Sequence, residues 1–203
     1  MKNISQPNTV IICCSVLKSE VSSLCQAHWP DHKLKFLPSI MHMYPERLAS
    51  SLQTVLDGEL KQGHKVVLIY GDCCAQMTAM EAMPGVVRTR GKNCCELLLG
   101  IEEYRRLSHE GAFFLIPEWV SRWKEIFVKE LGLNCDSATG LMQEIHRKLT
   151  YLDTGMAPVP ENALKEFAEY CGLPFEVRQV SLELLHSAIE YALFRCNSTG
   201  ASI

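Results

Sequence analysis

The residues best able to do chemistry in this sequence are its ten cysteines, six of which stand in adjacent pairs. Cysteine thiolates bind soft metals such as zinc and the iron of iron–sulfur clusters, and they also act as nucleophiles. The spacing contains no CxxC unit, so neither a zinc ribbon nor a thioredoxin-type motif is indicated. The three pairs are Cys13 and Cys14, Cys73 and Cys74, and Cys94 and Cys95.

Only one cysteine of each pair is expected to face a common site, because neighbouring side chains on an extended backbone point in different directions. We assign Cys14, Cys73 and Cys94 to the site. We expect Cys13 to pack inward, and we keep Cys74 and Cys95 as alternates for their neighbours. The competing interpretation is that the cysteines only fill the core, since free cysteine is a small and commonly buried residue.

Apolar runs next to each pair predict the elements that position it. Residues 9–16, 65–70 and 86–90 have the β-branched and apolar composition of strands one, three and four. Cys14 then ends strand one, Cys73 follows strand three, and Cys94 opens the helix after strand four. Ligands bind outside the carboxyl ends of strands in open α/β sheets. The three thiols therefore meet if these strands are neighbours.

Strands and helices alternate along the whole chain. This pattern predicts an α/β fold, a layered sandwich with a mostly parallel sheet of about seven strands built from Rossmann-like βαβ units. We expect one domain over 9–195, with a sub-lobe boundary near 132–160, and flexible tails at 1–8 and 196–203. Neither GxGxxG nor GxxxxGK[ST] occurs, so the usual phosphate loops are absent.

Composition limits the partners. The formal net charge is -3 and no run of basic residues occurs. Because phosphate binding needs clustered Lys and Arg, we expect no nucleic-acid partner. No apolar stretch approaches the roughly 20 residues that span a membrane, and no signal peptide precedes the first strand, so we expect a cytoplasmic protein without a membrane partner. The sequence does not indicate an oligomeric state.

Three convergent thiolates would form a metal site, with His42 as a fourth ligand or a supporting donor. An iron–sulfur cluster is our first assignment, with zinc or a cobalt or nickel tetrapyrrole as alternatives. The predicted helix start at Cys94 would favour its thiolate form. Three polar residues at strand ends could support the site or its ligand; they are Arg90, Asn93 and Asp153.

Several stretches around these residues resemble the family catalogued as domain of unknown function 1638. They are residues 14–20 (CSVLKSE), 42–48 (HMYPERL), 70–73 (YGDC) and 90–100 (RGKNCCELLLG), with 116–119 (IPEW) and 151–155 (YLDTG) as later motifs. The resemblance spans roughly residues 9–180. This family is mostly archaeal and anaerobic-bacterial, and its genes often lie near corrinoid-dependent methyltransferases. The resemblance therefore implies a corrinoid protein or a methyltransferase as a partner.

Carried over by position, the family pattern marks Cys14, His42, Cys73 and Cys94, the same set that the spacing suggests. The family's Arg-x-His-Asp-Cys stretch corresponds to residues 90–94, where Lys and Asn replace its histidine and aspartate. A family glycine is replaced by Cys74. These departures keep the thiols but remove two groups with acid–base chemistry.

Three functions remain open at this point. The first is a metal- or metallocofactor-binding protein that serves corrinoid, one-carbon or other metallocofactor metabolism through the thiolate site. The second is a metal-free enzyme with Cys94 as nucleophile and His42 as base. The third is a non-catalytic partner or chaperone of a methyltransferase, in which the cysteines only pack. The sequence does not decide whether the protein is an enzyme.

Overall fold

The computed structural model describes residues 8–198, and these form parallel strands and helices in alternation. The tails predicted at 1–8 and 196–203 lie largely outside the described residues. The strands are β1 Thr9–Cys14, β2 Lys33–Leu37, β3 Lys65–Ile69, β4 Val86–Arg88, β5 Ala112–Leu115, β6 Lys148–Asp153 and β7 Phe175–Gln179.

The α-helices connect and cover these strands. They are α1 Lys18–His28, α2 Pro45–Lys61, α3 Met77–Glu81, α4 Cys94–Leu99, α5 Ile101–His109, α6 Pro117–Ser121, α7 Cys135–Ile145, α8 Glu161–Cys171 and α9 Glu183–Ser198. Two 3-10 helices, Ser15–Leu17 and Ser39–Met43, and one π-helix, Lys124–Glu130, complete the regular structure.

The predicted α/β class and the strand number are confirmed, but the strands form two parallel sheets rather than one. One sheet has four strands in the order β2-β1-β3-β4, and the other has three in the order β5-β6-β7. The described residues divide into two compact units, residues 8–97 with 183–198 and residues 98–182. The second unit begins at Leu98 and ends at Leu182.

The four-stranded sheet is the core of the first unit. Every residue of β1 is buried, and Val66–Ile69 of β3 are buried as well, as expected for strands covered on both faces. Strand β3 lies between β1 and β4, so the strands that carry the cysteine pairs are neighbours. In the register, Cys13 lies opposite Ile69. Cys14 and Tyr70 therefore leave their strands side by side.

A buried carboxylate ties the other edge of this sheet to α2. The Glu59 side chain is 1% exposed and contacts two lysines of β2 and a histidine that precedes β3. Burial alone would raise the pKa of Glu59, but these hydrogen bonds outweigh it and hold the pKa at about 2. The three partners in this Glu59 ion cluster are Lys33, Lys35 and His64.

The second unit has its own core of apolar side chains from β5, β6, α7, α8 and the π-helix. Trp123 and Phe167 pack there with ring centroids 5.3 Å apart. Helix α8 runs over the predicted residues and ends at Gly172, whose φ of 64° is the left-handed conformation expected for a terminating glycine. Local signals therefore placed this helix correctly.

Two helices differ from the sequence-based expectation. The helix expected from Cys94 to Leu107 breaks at Gly100, where φ is 77°, and α5 begins at Ile101. Helix α9 continues to Ser198, and Cys196 is fully buried in it, so the expected tail does not begin at Cys196. Among the described residues, no helix is both long and apolar enough to cross a membrane.

Candidate functional site

The carboxyl edge of the four-stranded sheet gathers thiols from three places in the sequence. Cys14 ends β1, Cys73 lies in the loop after β3, and Cys94 starts α4. The thiols of Cys14, Cys13, Cys73 and Cys94 all raise the pKa of Tyr70, the residue that follows β3. We call Cys14, Cys73, Cys94 and Tyr70 the thiol cluster. The structure thus places the three cysteines that sequence spacing singled out at the same edge of one sheet.

Two loops are locked together to hold Cys73 and Cys94. The backbone N–H of Asp72 donates to the carbonyl oxygen of Lys92 over 2.8 Å. At Gly71 the backbones approach so closely that a Cβ atom there would lie 2.3 Å from the same oxygen. Only glycine fits at such an approach. Gly71 therefore fixes the position of one cysteine loop against the other.

Asn93 acts as a helix cap. Its side-chain oxygen accepts a hydrogen bond of 2.9 Å from the backbone N–H of Glu96, in the first turn of α4. This satisfies a helix N–H that has no intrahelical partner. The guanidinium of Arg90 is exposed and lies over the ring of Tyr191 at 5.5 Å. Asn93 thereby fixes the helix turn that carries Cys94.

His42 is held beside the cluster by the 3-10 helix Ser39–Met43. The backbone N–H of Ser39 donates to the hydroxyl oxygen of Ser15 over 2.9 Å, which joins this helix to the end of β1. The Nδ1 atom of His42 lies 2.8 Å from the carbonyl oxygen of Ser39 and 3.8 Å from Sγ of Cys14. Because a carbonyl only accepts, Nδ1 carries the proton.

This tautomer leaves the Nε2 atom of His42 with the lone pair. Histidine ligands in metal sites commonly donate Nδ1–H to a backbone carbonyl and coordinate through the other nitrogen. The histidine of the metal-free enzyme hypothesis was expected to act on Cys94. The structure instead places it against Cys14, with its Nδ1 proton engaged by Ser39.

The surroundings of the thiols oppose their ionisation. Burial raises the pKa of Cys94 well above its usual range, and the neighbouring thiols of Cys14 and Cys73 raise it further. The expectation that the helix start favours the Cys94 thiolate therefore does not describe the metal-free protein. Desolvation outweighs the partial positive charge of one short helix. Burial also raises the pKa of Cys73, although Arg88 partly offsets it.

Arg88, the last residue of β4, is a positive group that lowers the pKa of Cys73, and it is already paired. Its guanidinium contacts the carboxylates of Asp72 and Glu81, both over 2.8 Å. These ion pairs connect the end of β4 to the loop after β3 and to α3. Arg88 therefore supports the loop geometry and only weakly favours a thiolate at Cys73.

The second members of the pairs have less part in the cluster. Cys13 donates its thiol hydrogen to the carbonyl of Cys14 over 3.2 Å and is fully buried. Burial raises the pKa of Cys95 to about 12. Cys74 is 8% exposed, at the start of the turn that leads to α3. Within residues 8–198, which include all ten cysteines, no disulfide joins any two of them.

Asp153 lies in the second unit, at the end of β6. Its carboxylate accepts a hydrogen bond of 2.9 Å from the backbone N–H of Gly155. This is the local turn chemistry that short acidic side chains commonly provide. The contact accounts for the aspartate of the YLDTG motif without a ligand.

Tyr70 is the cluster residue that sequence reasoning missed. It is fully buried, and within the described part of the chain its hydroxyl has no hydrogen-bond partner. Burial raises its pKa, and the surrounding thiols raise it further, so the phenol stays protonated. A tyrosine at the end of an apolar strand is only a weak indication of a functional role, because the ring of such a residue usually packs in the core with its hydroxyl exposed to solvent. Its role emerges only from the neighbouring loops.

The residue types of the thiol cluster suit a soft metal, but the side chains stand too far apart to bind one ion. Thiols, an imidazole lone pair and a dry setting suit zinc, iron or cobalt. Among residues 8–198, however, no three His, Cys, Asp or Glu side chains stand close enough together to hold a metal ion. The candidate ligands are neighbours, and they would have to move together to coordinate one ion.

Comparison with known proteins gives a family and no activity. The model of the family described as "Protein of unknown function (DUF1638)" matches residues 36–189. The chain belongs to this family, as the sequence motifs indicated. No curated protein and no solved structure matches the chain.

Proposed function

We propose that this protein binds a soft metal or a metallocofactor at the thiol cluster, with Cys14, Cys73 and Cys94 as thiolate ligands and His42 as the fourth ligand or its supporting donor. The observation that carries the proposal is that three cysteines from distant sequence positions follow neighbouring strands at the carboxyl edge of one parallel sheet. Cysteines that only fill a core do not require this convergence at the binding edge of a sheet.

Metal binding would resolve the electrostatic conflict in the cluster. The pKa of Cys94 is raised by burial and by the neighbouring thiols, so the metal-free site disfavours thiolates. A bound cation favours the deprotonated thiols, and each ligand then releases its proton to solvent. The candidate ligands must move closer together to coordinate one ion, which is consistent with a site that forms when the ion binds.

An iron–sulfur cluster is the first choice for the bound group, and zinc or a cobalt or nickel tetrapyrrole are the alternatives. In this proposal the protein serves corrinoid-dependent or other one-carbon metabolism, with a corrinoid protein or a methyltransferase as its partner. The partner rests on the family resemblance alone.

The test is elemental analysis with an absorption spectrum on protein purified without oxygen. Wild type is compared with Cys73→Ser and with Cys135→Ser, a control at an exposed cysteine of the second unit. We expect about one metal centre per chain in wild type and the control, and loss in Cys73→Ser. Iron with absorption near ~400 nm indicates a cluster, and colourless zinc indicates a mononuclear site. No metal in any of the three contradicts the proposal.

A further inference from the structure

Strand β7 forms an open edge of the three-stranded sheet. It pairs with β6 on one side, and within residues 8–198 no strand pairs with its other side. The carbonyl oxygen of Pro174 accepts a hydrogen bond from β6, and the backbone N–H of Val180 donates one to β6. Because alternate residues of a strand direct their backbone groups to opposite sides, the backbone N–H and C=O groups of three residues point away from β6. These residues are Phe175, Val177 and Gln179.

This edge has the features of a strand that another strand can join. In the described part of the chain, no turn or loop backbone hydrogen bond involves its three outward-facing residues. Val177, at the centre of the strand, is 43% exposed. An exposed row of unpaired N–H and C=O groups is a template for strand addition. The edge of β7 is therefore a candidate interaction surface.

The charges on β7 indicate what kind of strand fits beside it. Glu176 and Arg178 have opposite signs, stand on either side of Val177, and share one face of the sheet. Glu176 contacts Lys148 and Thr150, both over 2.9 Å, and Arg178 contacts Glu103. The two side chains nevertheless remain 42% and 39% exposed. A reversed copy of the same strand would present the opposite charge to each of them.

We propose that two copies of this chain associate by antiparallel pairing of β7 with β7, around a two-fold axis at Val177. In this register Val177 lies opposite Val177 of the second copy, and the two residues exchange both backbone hydrogen bonds. Phe175 exchanges the same bonds with Gln179 of the second copy. The two three-stranded sheets then join into one of six strands.

Charge complementarity selects a second copy of this chain as the occupant. Glu176 lies directly opposite Arg178 of the second copy, and the two-fold axis repeats this pair on the other side of Val177. Both pairs stand at positions without backbone hydrogen bonds, where side chains of opposite strands come closest. Single-sign charges on an edge strand would instead repel a second copy.

The experiment measures the mass of the full chain by sedimentation velocity, under reducing conditions because all ten cysteines are free. An interface of one strand from each copy is small, so we expect a weak dimer that is populated by ~100 µM chain. Arg178→Glu and Glu176→Arg each place like charges opposite one another, and each should weaken the dimer by about 10-fold or more. Lys165→Glu is the matched control, because it reverses a charge at an exposed position of α8.

Mixing the two charge variants gives the sharpest outcome. Arg178→Glu chains carry two negative charges on β7 and Glu176→Arg chains carry two positive ones, so we expect an equimolar mixture to form a heterodimer. Circular dichroism shows whether each variant keeps the wild-type fold. A wild type that stays monomeric at ~100 µM overturns the proposal. Folded variants that dimerise as strongly as wild type, or that stay monomeric when mixed, overturn it as well.

Discussion

Replacing Gly71 with alanine should test the geometry that holds the thiol cluster together. The added Cβ would lie 2.3 Å from the carbonyl oxygen of Lys92 and 2.5 Å from Cα of Asn93. Both are backbone atoms, so no side-chain rotation relieves the overlap. The loop of residues 91–94 must move away, and the hydrogen bond of 2.8 Å from Asp72 to Lys92 weakens or breaks.

The expected cost follows from these two effects. Overpacking of a tight contact typically costs about 1–3 kcal/mol, and loss of one hydrogen bond about 0.5–1.5 kcal/mol. We therefore expect the free energy of unfolding to fall by roughly 2–4 kcal/mol in Gly71→Ala. We also expect faster alkylation of Cys94, because the displaced loop carries that buried thiol.

Urea unfolding followed by circular dichroism measures the stability, and mass spectrometry after timed iodoacetamide treatment measures the alkylation. Gly58→Ala is the matched control, because a Cβ at Gly58 in α2 meets no atom within 4 Å. We expect this control to stabilise the protein by about 0.5–1 kcal/mol, since alanine is the better helix residue. Equal unfolding of Gly71→Ala and wild type would refute the close approach of the two loops.

Three further predictions concern charge and reactivity. The folded-state pKa of Glu59 is about 2, below its unfolded value, so the stability that its carboxylate contributes is present above about pH 4.5 and is lost as the pH falls toward 2. In urea unfolding, we therefore expect Glu59→Gln to be about 2–3 kcal/mol less stable than wild type at neutral pH. At pH 2 the two proteins should be nearly equal in stability. In metal-free protein at pH 8, we expect iodoacetamide to modify the exposed Cys135 first, the partly exposed Cys73 next and the buried Cys94 last, as measured by peptide mass spectrometry; a Cys94 that reacts fastest would contradict its burial. Burial raises the thiol pKa of both Cys73 and Cys94, so each thiol must release a proton when it binds a metal ion. With two or more protons released, the affinity for Co²⁺ should rise by roughly 100-fold or more per pH unit between pH 6 and 8. A pH-independent affinity in the same titration would exclude these thiols as ligands.

The sequence predicted the elements that local signals determine. Strand β6 and helix α8 have the bounds that their residue patterns indicated, and Gly172 ends α8 as a left-handed cap. The predicted carboxyl ends of β1 and β3 lie within one or two residues of the observed ends, Cys14 and Ile69. These features depend on apolar periodicity, capping and chain stops, which are all properties of short segments.

The division into two sheets was not predictable in the same way. Apolar patterning shows that β5 is a buried strand, but it does not show whether β5 joins β4 or pairs with β6. The break at Gly100 was also missed, because one glycine inside the apolar stretch of residues 97–101 does not oblige a helix to end. Pairing and chain direction are decided by tertiary packing.

The candidate site was predictable in its thiols and not in its surroundings. Spacing at strand ends identified Cys14, Cys73 and Cys94, because parallel strands deliver their carboxyl ends to one edge. It did not reveal that burial would raise the pKa of Cys94, since that depends on which side chains cover the edge. Tyr70 was missed for the same reason, because the absence of a hydroxyl partner is visible only in three dimensions.

X-ray absorption at the edge of the bound metal, on protein loaded without oxygen, tests the central claim most directly. The account predicts about three sulfur neighbours at roughly 2.3 Å in wild type and in Cys135→Ser, and loss of a sulfur neighbour or of the metal in Cys73→Ser. A first shell made only of nitrogen and oxygen, or one unchanged in Cys73→Ser, would contradict the claim that these strand-end thiols form the site.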